Sequence, residues 1–105
     1  LIPEHFEMLN ELINKGVSSG DIVTIKLTSG EELVAKLIEE NPMQIKISRP
    51  LVLTMGQQGI GMVPYLFTVD PDKDIKLNRA TITVLETTEE SAAKQYIKAT
   101  TGIVT

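Results

Sequence analysis

The sequence has no cysteine and no tryptophan, one histidine, two tyrosines and two phenylalanines. Without cysteine, a disulfide framework, a thiolate nucleophile and a cysteine zinc site are all excluded, which fits a reducing intracellular compartment. The lone histidine, His5, has no histidine or cysteine partner, and acid–base chemistry needs a positioned partner and a pocket. A surface or packing role is therefore expected for it. Cations are also scarce: 10 Lys and Arg against 14 Asp and Glu leave a net charge of −4. That balance excludes a non-specific nucleic-acid coat, which needs a cationic surplus to neutralise phosphates, so any RNA contact is expected to be local. No apolar run approaches the roughly 20 residues of a membrane span. No basic segment precedes a hydrophobic one in the manner of a secretion signal, so neither span nor signal is expected. What remains is an ordinary folding chain of 105 residues, 42% apolar and 23% charged, sized for one core.

Periodicity divides the chain into a helix, five strands and a helix, read as one domain over 1–105. Phe6, Leu9, Leu12 and Ile13 share a face at helical spacing, with Pro3 in the first turn and Gly16 at the end, predicting a helix over about 3–15. Strands are expected between about 21 and 86. Val23, Ile25 and Leu27 alternate with Thr24, Lys26 and Thr28. After a Ser29-Gly30 turn, Leu33, Ala35 and Leu37 alternate with Glu32, Lys36 and Glu40, which predicts a hairpin. Asn41-Pro42 turns the chain again. Met43, Ile45, Ile47, Leu51, Leu53 and Met55 then share odd parity, predicting one long core-facing strand with a bulge or edge at Pro50, since proline donates nothing to a ladder. Gly56 to Gly61 reads as a flexible loop. Met62 to Val69 is apolar on both faces, so its second face is expected to meet another surface, such as another subunit. A turn at Asp70–Asp74 precedes a fifth strand, Ala80–Leu85, with Ile82 and Val84 inward. Thr87 and Glu90 match a capping box for a helix over about 88–100, whose stripe is Ala92, Ala93, Tyr96 and Ile97.

A short helix followed by five strongly bent strands resembles the Sm-like (LSm) layout, and the detailed likeness lies in VTIKLTSGEELVAKLIEENPMQIKI, Val23 to Ile47. Ser29-Gly30, Ala35, Leu37, Asn41 and Met43-Gln44 take the places of the family's first motif, with the segment after Asn41 one residue short. Its second motif, an apolar-Arg-Gly triplet, has two placements that stay open: Leu77-Asn78-Arg79-Ala80, or Thr68, Val69 and Asp70, which would remove the cation. Gln44 stands where the family has asparagine, and Pro42 stands at the base-stacking position. The resemblance implies a mainly β fold, a five-stranded strongly bent antiparallel sheet forming a small open barrel with a helix at each end. It also implies a homo-oligomeric ring of five to seven subunits in which strand four of one subunit pairs with strand five of the next. That edge contact gives Met62, Val63, Leu66, Phe67, Ile82 and Val84 as the oligomer interface. The terminal helices and the altered turn make the chain similar to small phage Sm-like proteins of cyanophage type, implying the cytoplasm of a bacterial host.

The candidate contacts for short single-stranded RNA are Asn41, Pro42, Gln44, Asn78 and Arg79, with Lys46 and Arg49 as further phosphate contacts. The same residues would otherwise cap turns and solubilise strand surfaces. Asp70, Asp72 and Asp74 resemble the start of a calcium loop but lack its glycine (Ile75) and closing glutamate (Thr81), so a solvated turn is expected and no metal or other cofactor. Gly56, Gly59 and Gly61 lead into a strand, not into a helix that would hold phosphate. Glu39-Glu40 and Glu89-Glu90 are adjacent carboxylates without a catalytic arrangement, and no nucleophile, base and orienting group occur together, so no enzyme is expected. The expected function is RNA binding by an Sm-like ring in RNA processing or regulation. The alternative is a ring-forming scaffold acting through a protein partner after loss of RNA binding, and a third reading is a monomeric barrel holding a small ligand.

Overall fold

The computed structural model describes residues 16–101, so the helix expected over 3–15 and His5 lie outside the described residues. Among the described residues six strands, not five, form one antiparallel sheet: β1 (Ile22–Leu27), β2 (Glu32–Glu40), β3 (Gln44–Gly56), β4 (Gly59–Pro64), β5 (Ile75–Asn78) and β6 (Ile82–Thr87). A single turn of 3-10 helix, Arg79–Thr81, joins β5 to β6, and the helix α1 (Glu90–Thr101) follows. The strand order is β4-β3-β2-β1-β6, with β5 also on β3. β5 takes the first part of β3, Gln44–Ile47, and β4 takes the second, Leu51–Gly56. Because β5 and β6 pair with strands two places apart yet are joined by three residues, the sheet has to curl strongly. It does not close, since no ladder joins β6 to β4 or β5.

The alternation in β1 and β2 sets the core. Val23, Ile25, Leu27, Leu33, Ala35, Leu37, Ile45 and Ile47 are all buried, with Val52, Tyr65, Ile75, Leu77, Ile82 and Leu85 packed around them. The hairpin between β1 and β2 closes over Gly30, whose φ of 108° suits glycine alone. Pro50 does mark a bulge. Val34 pairs with Leu51 and Lys36 with Ser48, so Arg49 and Pro50 together face Ala35, and Arg49 takes a φ of 50°.

That extra residue corrects the expected parity. Beyond the bulge, Val52 opposes the inward Leu33, and Leu51 opposes Val34 on the other face. Leu51, Leu53 and Met55 therefore leave the core side, and Met55 is 82% exposed. Met43, in the turn before β3, is 77% exposed rather than inward. The expected fourth strand, Met62–Val69, is also displaced. The Tyr65 amide still donates to the Pro50 carbonyl at 3.1 Å, after which the chain leaves the sheet and returns as β5, which is the origin of the sixth strand. Gly56 and Gly59 are a cross-strand pair flanking a Gln57-Gln58 turn, so the expected flexible loop is the tip of a hairpin.

α1 lies against β2 on the face opposite the core. Its cap is Glu89, not the expected Thr87 box: the Glu89 carboxylate accepts from the Ser91 and Ala92 amides at 2.8 and 3.1 Å. The Ser91 hydroxyl, followed by the Ala92 amide, holds the Glu89 carboxyl below the usual carboxylate range. Thr88 is instead buried, its hydroxyl 2.9 Å from that of Thr24 on β1. The buried Tyr96 donates its hydroxyl to the carbonyls of Ser48 and Arg49, at 3.0 and 2.9 Å, which anchors the helix at the bulge.

Candidate functional site

Two turns far apart in sequence meet at one end of the sheet. The β3–β5 ladder sets Gln44 opposite Asn78, and the Arg79 amide donates to the Met43 carbonyl at 2.9 Å. Asn41, Pro42, Gln44, Asn78 and Arg79 are thereby brought together. Two of the five use their side chains locally. Asn41 Oδ1 accepts from the amides of Met43 (2.8 Å) and Gln44 (2.9 Å), and Asn78 Oδ1 accepts from the Ala80 amide (2.9 Å). These are the Asx turns that asparagine is suited to form. Pro42 is exposed and Gln44 half-buried.

Arg79 Nη1 donates to Glu40 Oε2 at 2.7 Å and to the Asn41 carbonyl at 3.3 Å. Lys46 lies 3.4 Å from Glu39, and Arg49 pairs with Asp72 while donating to the Thr100 carbonyl at 2.9 Å. Each of the three cations that the sequence offers for phosphate therefore already faces a carboxylate. An incoming phosphate would have to displace or share it, at a cost that exposed pairs keep modest.

The interface candidates divide between two places. Met62 and Val63 lie on β4 and Ile82 and Val84 on β6, two of the three strands, with β5, whose outer edges pair with nothing among the described residues. Ile82 turns its side chain to the core, whereas Val84 and Val63 are 44% and 38% exposed. Leu66 and Phe67 follow β4 in the irregular segment, and Phe67 is 81% exposed. Leu66 lines a cleft of about 190 Å³ with Leu51, Pro64, Val69 and Ala99. The cleft is smaller than the ~300–1,000 Å³ of ordinary ligand pockets.

The aspartates form a turn: Asp70 Oδ1 accepts from the Asp72 amide at 2.9 Å, and its carbonyl accepts from the Lys73 amide at 3.0 Å. Among the described residues, no group of three or more His, Asp or Glu is arranged to hold a metal ion, and no helix is long and apolar enough to cross a membrane.

No known family model and no curated protein matches this sequence. The site must therefore be read from its own chemistry.

Two of its members were missed by sequence reasoning. Met43 was assigned to the core by parity, although its place between Pro42 and the Asn41-capped turn marks it as a loop residue. It presents a soft, polarisable and largely exposed side chain on the turn whose carbonyl meets the Arg79 amide. Glu40, the carboxylate on Arg79, carries no sequence signal at all, because the contact depends on a β3–β5 pairing that brings Arg79 back beside the end of β2.

Proposed function

We propose that the chain is a subunit of a homo-oligomeric Sm-like ring that binds short single-stranded RNA at the Asn41–Gln44 and Asn78–Arg79 turns. The observation that carries the reading is that, among the described residues, the outer edges of β4 and β5, both carried on β3, and of β6, at the other end of one curled sheet, pair with nothing. Two different edges joined from copy to copy make a head-to-tail contact, which closes into a ring when each copy is sufficiently curved, and which hides edges that would otherwise promote aggregation. The meeting of the two turns supports the RNA part: exposed Pro42 and Met43 offer apolar surface to a base, and Gln44 and Arg79 offer polar groups beside them.

A second reading, a ring that acts as a protein scaffold without RNA, is favoured by the pairing of Lys46, Arg49 and Arg79 with carboxylates. Native mass spectrometry with and without a short uridine-rich RNA tests both. A closed oligomer carrying RNA is the expected result, an oligomer that ignores RNA selects the scaffold, and a monomer at micromolar concentration removes the ring. Glu40→Gln sharpens the choice. Freeing Arg79 is expected to tighten RNA binding severalfold, whereas Arg79→Ala weakens it and lowers the salt slope by about one.

A further inference from the structure

The β3–β4 hairpin has a feature that the edge contact alone leaves unexplained. β2 last pairs with β3 at Val52, so Leu53–Gly56 and Gly59–Met62 continue as a two-stranded arm with no third strand among the described residues. Its register sets Leu53 opposite Met62 and Met55 opposite Ile60, continuing the Leu51–Pro64 pair. With alternate residues on alternate faces, all six lie on one side of the sheet, opposite the core. Met55 is 82% and Ile60 57% exposed. From Pro50 through Val69 the chain has no charged residue, in a sequence that is 23% charged overall. A hairpin that stays in water is usually guarded by charges, whereas depletion of charge marks the centre of a protein contact.

We propose that this apolar face of the arm, Leu53, Met55, Ile60 and Met62, seats on a second copy of the chain beside the β4 edge; the proposal rests on the head-to-tail ring. β4 forms both that edge and half of the arm, so a neighbour paired along β4 stands directly next to the face. On that neighbour, β6 presents Val84 on the same side, since Val84 pairs with Lys26, whose side chain points away from the core. The edge strands are six residues each, a fraction of the roughly 20–30 residues a side found in stable interfaces. The arm supplies the apolar area that main-chain pairing lacks. The contact in turn steadies a two-stranded ribbon that is marginal on its own.

Methionine oxidation reads this directly, because Met43 and Met55 have nearly equal exposure in the single chain, 77% and 82%. The wild-type protein is treated with hydrogen peroxide at an assembling concentration and after dilution, and sulfoxide is quantified by peptide mass spectrometry. Met55 is expected to react at least about tenfold more slowly than Met43 in the assembly and to lose that protection on dilution. The double variant Met55→Lys/Ile60→Lys, with its circular dichroism compared with the wild type, is expected to raise the concentration of half-dissociation by about tenfold or more. If Met55 reacts as fast as Met43 while native mass still shows the ring, the arm contact is wrong and the ring stands. Protection that survives dilution to monomer means that the chain covers its own arm, which also overturns the proposal. A wild-type protein that is monomeric throughout defeats the ring and the arm together.

Discussion

On the N-terminal side of the bulge at Arg49–Pro50, β3 contributes Ile45 and Ile47 to the core, both fully buried. On the C-terminal side the same strand contributes Leu53 and Met55 to the opposite face, where Met55 is 82% exposed. These residues share a parity and a chemical character. They differ in what the register sets around them: the first half of β3 lies between β2 and β5, and the end of the second half has only β4 beside it. Burial along this strand follows the neighbours and the one-residue insertion more closely than it follows hydrophobicity.

The largest effect is expected on the buried side. Ile47→Ala removes a branched side chain from a site with no solvent access, and the transfer and cavity costs together come to roughly 2–5 kcal/mol. Against a total of about 5–15 kcal/mol for a domain of this size, the urea midpoint should fall by a large fraction. An unchanged midpoint by circular dichroism would take Ile47 out of the core.

Tyr96 joins the bulge to α1, and Tyr96→Phe should cost about 1–2 kcal/mol because the two carbonyls at Ser48 and Arg49 lose their shared donor. Its titration has a defined sign. Burial raises the Tyr96 pKa above its ordinary value of 10.0, so the unfolded chain releases this proton more readily than the folded one. The contribution is complete below about pH 10 and is lost as pH rises through the folded-state value. Thermal melts across the alkaline range should therefore show a decline in the wild type that is smaller in Tyr96→Phe. Parallel declines in the two proteins would assign the alkaline loss to other groups.

Much of the body was legible in the sequence, because β1 and β2 have uninterrupted alternation and a glycine turn, and local pattern suffices there. The arm was not. Pro50 was recognisable as a bulge, but whether a bulge inserts one residue, and so reverses every side chain after it, depends on the partner strand. Gly56 and Gly59 looked like a flexible loop because glycine serves turns and loops alike, and only the Gly56–Gly59 pairing distinguishes them. The candidate site was half legible. Asn41 and Asn78 announce turns, yet the contact between those turns, and the Glu40 carboxylate on Arg79, arise from long-range pairing that spacing does not encode.

A smaller, local effect is expected at the hairpin tip. Gly59 has a φ of 114°, which side-chain-bearing residues rarely adopt, although a side chain there would meet only open space. Gly59→Ala should strain the turn by about 1–2 kcal/mol. Because the arm lies outside the core, the change should appear in amide exchange across residues 56–62, faster by a factor of about 5–30. The amides of β1 and β2 should be little altered. Acceleration spread evenly over both regions would mean that arm and body open as one unit, and the contrast between them would be lost.

The smallest effect should come from Met55→Ala, measured at a concentration where copies are apart. In the single chain Met55 is mostly in water and its cross-strand partner Ile60 is itself 57% exposed, so truncation removes little buried area and leaves no cavity. A change within about 0.5 kcal/mol is expected, as for surface positions generally. The same substitution chemistry at Ile47 is expected to cost several times more, although both residues lie on β3 at odd positions. A loss at Met55 approaching that at Ile47, with the protein shown to be monomeric, would mean that the arm folds back onto its own chain. Burial would then be shared by the two halves of β3, and the exposed face would need no second copy to cover it.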